Sequence, residues 1–276
     1  NRWNGCQSKK IDLLVHAVQG LGDEIIYGSF LHFLKPERFN SISVTCDSRL
    51  IPIYKRTHPK IHFKDRRNNI DEMLYSEIHL ASLGQYFLNH TSDLSLLTHP
   101  NLKHDEILSN DLRESLKLGE KKLCGISWQS KITGNKAGTY KSISLTDLSP
   151  ILLKPNYLFI NLQYGNVDDE IEKIFKLYGV QIINPSEIDN FNDIDSLLAL
   201  INACDIVVTI SNVTAHLAGS ISKKTFLLSP DKKGKFWYWK NRNEKNQSLW
   251  YPSIQIIDQG DNSNWHNAIS ELSDLM

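Results

Sequence analysis

The chain has 276 residues, with 31 Lys and Arg against 31 Asp and Glu, a formal net charge of zero and 41% hydrophobic residues. A neutral chain has no bulk attraction for a nucleic-acid polyanion or an anionic membrane, and no apolar run approaches the roughly 18 to 20 residues of a membrane span. Such a length suits two domains of about 100 to 150 residues, and the apolar content suffices for ordinary cores.

The chain starts at Asn1 rather than Met, which reads as a piece of something longer, and no signal peptide opens it. Cys6, Cys46, Cys124 and Cys204 are scattered, three of them in or beside strand-like runs. That pattern predicts buried free thiols in a reducing compartment, hence a cytoplasmic protein.

Ile11 to Ala17 is an apolar run of strand length. A glycine-containing turn, Gln19 to Glu24, follows, and Ile25 to Leu34 carries apolar residues at helical spacing. Gly20 and Gly22 suit a tight turn with close backbone approach, and Asp23 stands at the helix start, where the dipole favours a carboxylate. A dinucleotide fingerprint fails because Ile25 occupies the third glycine position, although Asp47 mimics its acidic residue. The P-loop pattern is absent. Asp23 therefore has two readings, an exposed carboxylate for proton chemistry or a helix cap.

A strand is expected at Ser41 to Cys46, a helix at Arg49 to Arg56, a strand at Lys60 to Phe63 and a short apolar run at Glu77 to Leu80. His79, His90, His99 and His104 lack ligand spacing, and Pro59 separates His58 from His62, so no metal is assigned. A charged helix from Leu112 to Lys122, stopped by Gly119, places the domain boundary between residues 118 and 119.

Leu123 to Trp128 starts a second sheet and feeds a loop carrying Ser130, Lys131, Gly134, Lys136, Gly138, Tyr140 and Lys141. Such a loop is either an anion cradle or a plain surface loop. Helices at Leu145 to Leu153, Asp168 to Tyr178 and Ile194 to Ala203 alternate with strands at Tyr157 to Leu162 and Val180 to Ile183, the pattern of a doubly wound sheet. Ile206 to Ile210 is then a buried strand, Ser211-Asn212 opens a helix ending near Gly219, and Thr225 to Leu228 forms the next strand.

In this βαβ unit Ser211, Asn212, Val213 and Thr214 bring unpaired N–H groups to a helix start, which suits a phosphate. His216 lies one turn deeper on the face of Asn212. The same Ser-Asn pair also reads as an ordinary N-cap. Beyond Pro230, basic residues including Lys232 flank the aromatic segment Lys235 to Lys240. With Trp250 and Tyr251, these aromatics serve either packing or stacking on a base or sugar. A strand at Ile254 to Ile257 and a helix at Trp265 to Leu275 end the chain.

Four stretches, VQGLGDEIIYGSFL (Val18 to Leu31), GISWQS with YKSISL (Gly125 to Leu145), FINLQYG (Phe159 to Gly165) and TISNVTAHLAGSISKKTFLLSP (Thr209 to Pro230) with SLWYPS (Ser248 to Ser253), together resemble a known family. It is the glycosyltransferase-like C-terminal domain of bacterial tetratricopeptide-repeat proteins, related to glycosyltransferase family 9, the heptosyltransferases. The resemblance implies an α/β, GT-B-like architecture of two Rossmann-like domains facing a cleft, an N-terminal acceptor domain (1–118) and a C-terminal nucleotide-sugar donor domain (119–276). It implies an inverting, metal-independent transfer to a protein or glycan acceptor, with Asp23 as general base and the nucleotide sugar as substrate rather than cofactor. Ser130, Lys141 and the helix start at Asn212 to Thr214 would meet the diphosphate, His216 would help fix phosphates or sugar, and Tyr164 would line the nucleotide pocket. NRWNG resembles the segment joining such domains to upstream repeats. Many relatives carry Asp-Thr where this chain has Ser211-Asn212, and Val167 stands near the usual ribose-binding acidic residue, with Asp168 the nearest carboxylate. ADP-heptose is therefore not expected, and a catalytically silent binding module is the alternative.

Overall fold

The computed structural model describes residues 2–6, 9–17, 20–68, 70, 75–97, 99–117, 119–130, 140–231, 233–260 and 264–276. They form two compact units, Asn1–His104 and Asp105–Met276.

The first unit is built on a parallel sheet of order β3-β2-β1-β4, with β1 Asp12–His16, β2 Ser41–Cys46, β3 His62–Asp65 and β4 Ser76–His79. Leu13, Leu14 and Val15 are all fully buried, as expected of a central parallel strand covered on both faces. Register pairs His16 with Thr45 on one side and His79 on the other, so three polar side chains share the carboxyl edge of the sheet. Helix α1, Leu21–Gly28, follows β1 and buries Ile25 and Ile26. Helix α2, Ile51–Thr57, follows β2 and sends Tyr54 Oη to the Glu24 carbonyl at 2.6 Å. A Cβ on Gly28 would stand 2.5 Å from that phenol oxygen, so glycine permits the approach of Tyr54 to α1. Helix α3, Gly84–Phe87, is a single turn.

The second unit has a parallel sheet of order β10-β9-β8-β5-β6-β7. Its strands are β5 Lys122–Ser127, β6 Tyr157–Asn161, β7 Ile182–Ile183, β8 Ile206–Ile210, β9 Thr225–Ser229 and β10 Ile254–Asp258. The helices are α4 Glu106–Leu116, α5 Ser149–Leu152, α6 Asp168–Tyr178, α7 Ile194–Ala203, α8 Val213–Ser220 and α9 His266–Leu275. One apolar core joins Ile126, Trp128, Phe159, Val208, Ile210, Phe226, Leu228 and Leu272.

Several expected elements shift. The compact units divide between His104 and Asp105, not between 118 and 119, because α4 packs on α7 of the second unit. Asp105 caps α4 by accepting Leu108 N–H at 3.0 Å, so the helix starts six residues before the expected Leu112. Arg113 donates to the Ala203 carbonyl at 2.5 Å and to Asp205 at 2.6 Å, and Asp205 accepts Leu123 N–H at 2.7 Å. Strand β3 lies two residues beyond Lys60–Phe63, and the helix expected over Leu145 to Leu153 is one turn, α5, with Pro150 in the first-turn position it tolerates. Cys46, Cys124 and Cys204 are buried free thiols, and Cys6 is exposed. Among the described residues no helix is long and apolar enough to cross a membrane.

Candidate functional site

In the first unit a cavity of about 280 Å³ opens where α1 meets the carboxyl edge of the sheet, lined by His16, Asp23, Glu24, Tyr27, His79, Leu80 and Ser82 among others. Asp23 lies in the first turn of α1. Gly20, the N-cap, has φ −69° and ψ 162°, an extended backbone that any residue adopts, and Gly22 sits inside α1 itself, so neither glycine answers to a left-handed turn. A Cβ at Gly20 would meet Asp23 Oδ2 at 3.7 Å, which places the carboxylate beside the helix start. The preceding Val18 and Gln19 lie outside the described residues.

Behind Asp23, Glu24 is buried and accepts Asp47 N–H at 2.8 Å and a guanidinium N–H from Arg66. Burial pushes its carboxyl up to about 7, against the pull of the Asp47 N–H and the Arg66 cation. His16 and His79 have ring centroids 6.0 Å apart, and His16 Nε2 is 3.8 Å from Glu77 Oε2. Sequence reasoning missed both histidines as a pair. The available signal was that each ends a strand, where parallel sheets place ligand-binding groups.

In the second unit β8 ends at Ile210 and the helix start expected after it follows at Val213. Asn212 is the N-cap of α8, its Oδ1 accepting Ala215 N–H at 3.4 Å and Thr209 Oγ1–H at 3.1 Å. Its Nδ2 donates to Ser127 Oγ at 2.8 Å, tying β8 to β5. Gln163 Oε1 closes the end of β5 by accepting Trp128 N–H at 2.9 Å and Gln129 N–H at 2.8 Å. Asn212 thus serves as cap and cross-link, and the N–H groups of Val213 and Thr214 are left as the helix-start donors without an intrahelical acceptor.

Other expected donor-site residues lie deeper. Ser211 is buried, its hydroxyl accepting Trp239 Nε1–H at 2.9 Å. His216 is 2% exposed, inside a box of Tyr238, Trp239 and Tyr251 whose ring centroids lie 5.2 to 5.9 Å away. Burial, with the Lys141 cation adding to it, pushes the imidazole down to about 3, so it is neutral and enclosed rather than open to a ligand. Lys141 is 2% exposed, its ammonium 4.7 Å from the Phe236 ring centroid. Ser130 is buried and its N–H donates to Ser142 Oγ at 3.0 Å. Tyr164 is half-buried and meets Phe191 at 6.0 Å between ring centroids. Lys131, Gly134, Lys136, Gly138 and Lys232 lie outside the described residues. Trp239, Trp250 and Tyr251 are core groups, while Trp237 is 51% exposed. Among the described residues, no cluster of three or more His, Cys, Asp or Glu is placed to hold a metal.

This architecture is the α/β, parallel-sheet fold of glycosyltransferase family 9 structures. The family 9 glycosyl transferase of Veillonella parvula matches with a TM-score of 0.62 at 13% identity, covering 98% of this chain and 93% of that one. E. coli ADP-heptose lipopolysaccharide heptosyltransferase II matches with a TM-score of 0.62 at 12% identity, covering 96% and 97%. E. coli heptosyltransferase WaaC, solved with ADP-2-deoxy-2-fluoro heptose, gives 0.55 at 8% identity, covering 96% and 99%. By sequence, the chain is 29% identical over 279 residues to protein FlbA of Caulobacter vibrioides, covering 93% of this chain and 44% of that protein, so it spans less than half of that relative's length. No protein-family model matches the sequence.

Proposed function

We propose that this chain is an inverting, metal-independent glycosyltransferase that moves a sugar from a nucleotide-sugar donor to a protein or glycan acceptor. One observation carries the reading: Asp23, a carboxylate in the first turn of a helix, lies on the wall of a cavity at the carboxyl edge of a parallel sheet. The acceptor hydroxyl would bind in that cavity and give its proton to Asp23. Its oxygen would attack the anomeric carbon as the bond from that carbon to the diphosphate oxygen breaks.

The Rossmann-like second unit would hold the donor. The N–H groups of Val213 and Thr214, at the positive end of α8, would receive the negative charge that develops on the diphosphate, with Lys141 and Ser130 beside them. Asn212 would hold that corner rigid, Ser211 and His216 would support it through packing, and Tyr164 would line the nucleotide pocket. Kinship of fold with heptosyltransferases, one of them bound to an ADP-sugar analogue, supports the donor class.

An upstream tetratricopeptide-repeat region and a cytoplasmic setting complete the proposal, supported by the NRWNG resemblance and the buried free thiols. A second reading, nucleotide binding without turnover, is favoured by the buried Ser211 where many relatives carry a carboxylate. Calorimetry against a panel of nucleotides and nucleotide sugars, followed by assay of nucleoside diphosphate release, tests both. Binding with release supports transfer, binding without release in any acceptor mixture supports the silent module, and no binding overturns both.

A further inference from the structure

We propose that Glu24 is a positioning residue for Asp23, its side chain tying the first turn of α1 to the ends of β2 and β3 so that the neighbouring carboxylate keeps its place on the cavity wall. The inference rests on the reading of Asp23 as the acceptor base. Glu24 is 1% exposed, and both of its carboxylate oxygens are engaged from outside the helix, Oε2 by Asp47 N–H at 2.8 Å and Oε1 by Arg66. Arg66 also donates to Asp47 Oδ2 at 3.0 Å, and Arg49 clasps the same Asp47 through Nε and Nη2 at 2.9 Å each. The Glu24 backbone is held as well, by Tyr54 Oη at 2.6 Å.

A carboxylate buried this deeply is costly unless paired, and an apolar side chain would fill the space without that cost, so packing alone does not account for it. Successive residues on a helix project about 100° apart, so fixing Glu24 fixes the direction in which Asp23 leaves the same turn. The charged and titratable groups around Glu24 are Cys46, Asp47 and Arg49 at the end of β2, Arg66 just beyond β3, Tyr54 on α2, and Asp23, His16 and His79 along the cavity. Because burial outweighs the cations and raises the Glu24 carboxyl to about 7, mild acidification neutralises it and weakens its hold on Arg66.

The test is carbon-13 NMR of protein labelled at aspartate carboxyls, with the Asp23 resonance assigned by its loss in Asp23→Asn. In the wild type we expect one Asp23 resonance whose shift inflects near pH 7. Glu24→Gln should remove that inflection, Arg66→Met should move it to higher pH because the cation that lowers the Glu24 carboxyl is gone, and both should broaden or split the resonance. Where turnover is measurable, kcat should fall about tenfold to a hundredfold in both variants with the donor KM within about twofold, and the limb near pH 7 should vanish in Glu24→Gln. An Asp23 resonance unchanged in both variants overturns the proposal. If Glu24→Gln loses its fold by circular dichroism, Arg66→Met decides, since that side chain is 34% exposed. A wild type without turnover would remove the acceptor-base reading, while the resonance would still decide what Glu24 does.

Discussion

The indole Nε1–H of Trp239 donates to Ser211 Oγ at 2.9 Å, inside a core where neither side chain reaches solvent. Residue 211 follows the last residue of β8 and precedes Asn212, the N-cap of the helix whose first N–H groups are the donor-site candidates, and its side chain is spent on holding an aromatic wall. Truncation to Ser211→Ala leaves a buried indole N–H unsatisfied, which costs about 1–3 kcal/mol. At roughly 2–4 °C per kcal/mol for a unit of this size, a thermal melt should show the loss clearly, while nucleotide affinity should change little. An affinity that collapses at unchanged stability would make Ser211 a ligand contact instead.

Asp23→Asn keeps the shape of the side chain and removes its basicity. Transfer should fall by about a hundredfold to ten-thousandfold, the range of general-base contributions, and calorimetric affinity for the nucleotide should persist because the proposed donor groups belong to the second unit. Undiminished turnover would take Asp23 out of the mechanism.

The enclosed His216 gives a pH signature. Its imidazole is held near 3 against an ordinary 6.5, so the unfolded chain binds this proton more readily than the folded one between those values. The resulting stability is fully present above pH 6.5 and is lost as pH falls toward 3, by at most about 5 kcal/mol at about 1.4 kcal/mol for each pH unit of separation. His216→Phe fits an aromatic box and cannot titrate, so the wild type should lose stability relative to this variant over that window in denaturant titrations. A constant difference from pH 7 to pH 4 would show that the imidazole takes up its proton as readily in the folded protein as in the unfolded chain.

Local signals account for what was legible in the sequence. Helices α6 and α7 and strands β2 and β8 begin and end where expected, because hydrophobic period and flanking polar residues agree there. Helix α4 was misjudged because its cap, Asp105, lies in a His- and Asn-rich stretch that reads as loop, and its partner α7 is far along the chain. The candidate site shows the same divide. Asp23 and the α8 start are contiguous motifs, whereas Glu24 acquires its meaning from Arg66, 42 residues on, and His16 meets His79 only through strand register.

The packing behind α8 makes the last prediction. Gly219 lies in α8, where alanine is ordinarily the better helix former by about 1 kcal/mol, so Gly219→Ala should stabilise the helix if nothing lay against it. A Cβ there would instead overlap Tyr251 Cγ and stand 2.7 Å from Cδ1 and 2.8 Å from Cβ of the same residue. These are atoms next to the main chain rather than the far end of a flexible side chain. Tyr251 is fully buried and its ring lies within 6.2 Å, centroid to centroid, of both Trp239 and His216. The ring has nowhere to move without displacing the box that also holds Ser211, so overpacking should outweigh propensity and leave a net loss of about 1–3 kcal/mol. In urea the midpoint should fall with the slope unchanged, the mark of lost stability without a change in the surface exposed on unfolding. A variant as stable as the wild type would mean that Tyr251 does not press on α8, and the wall behind the donor-site candidates would have to be redrawn.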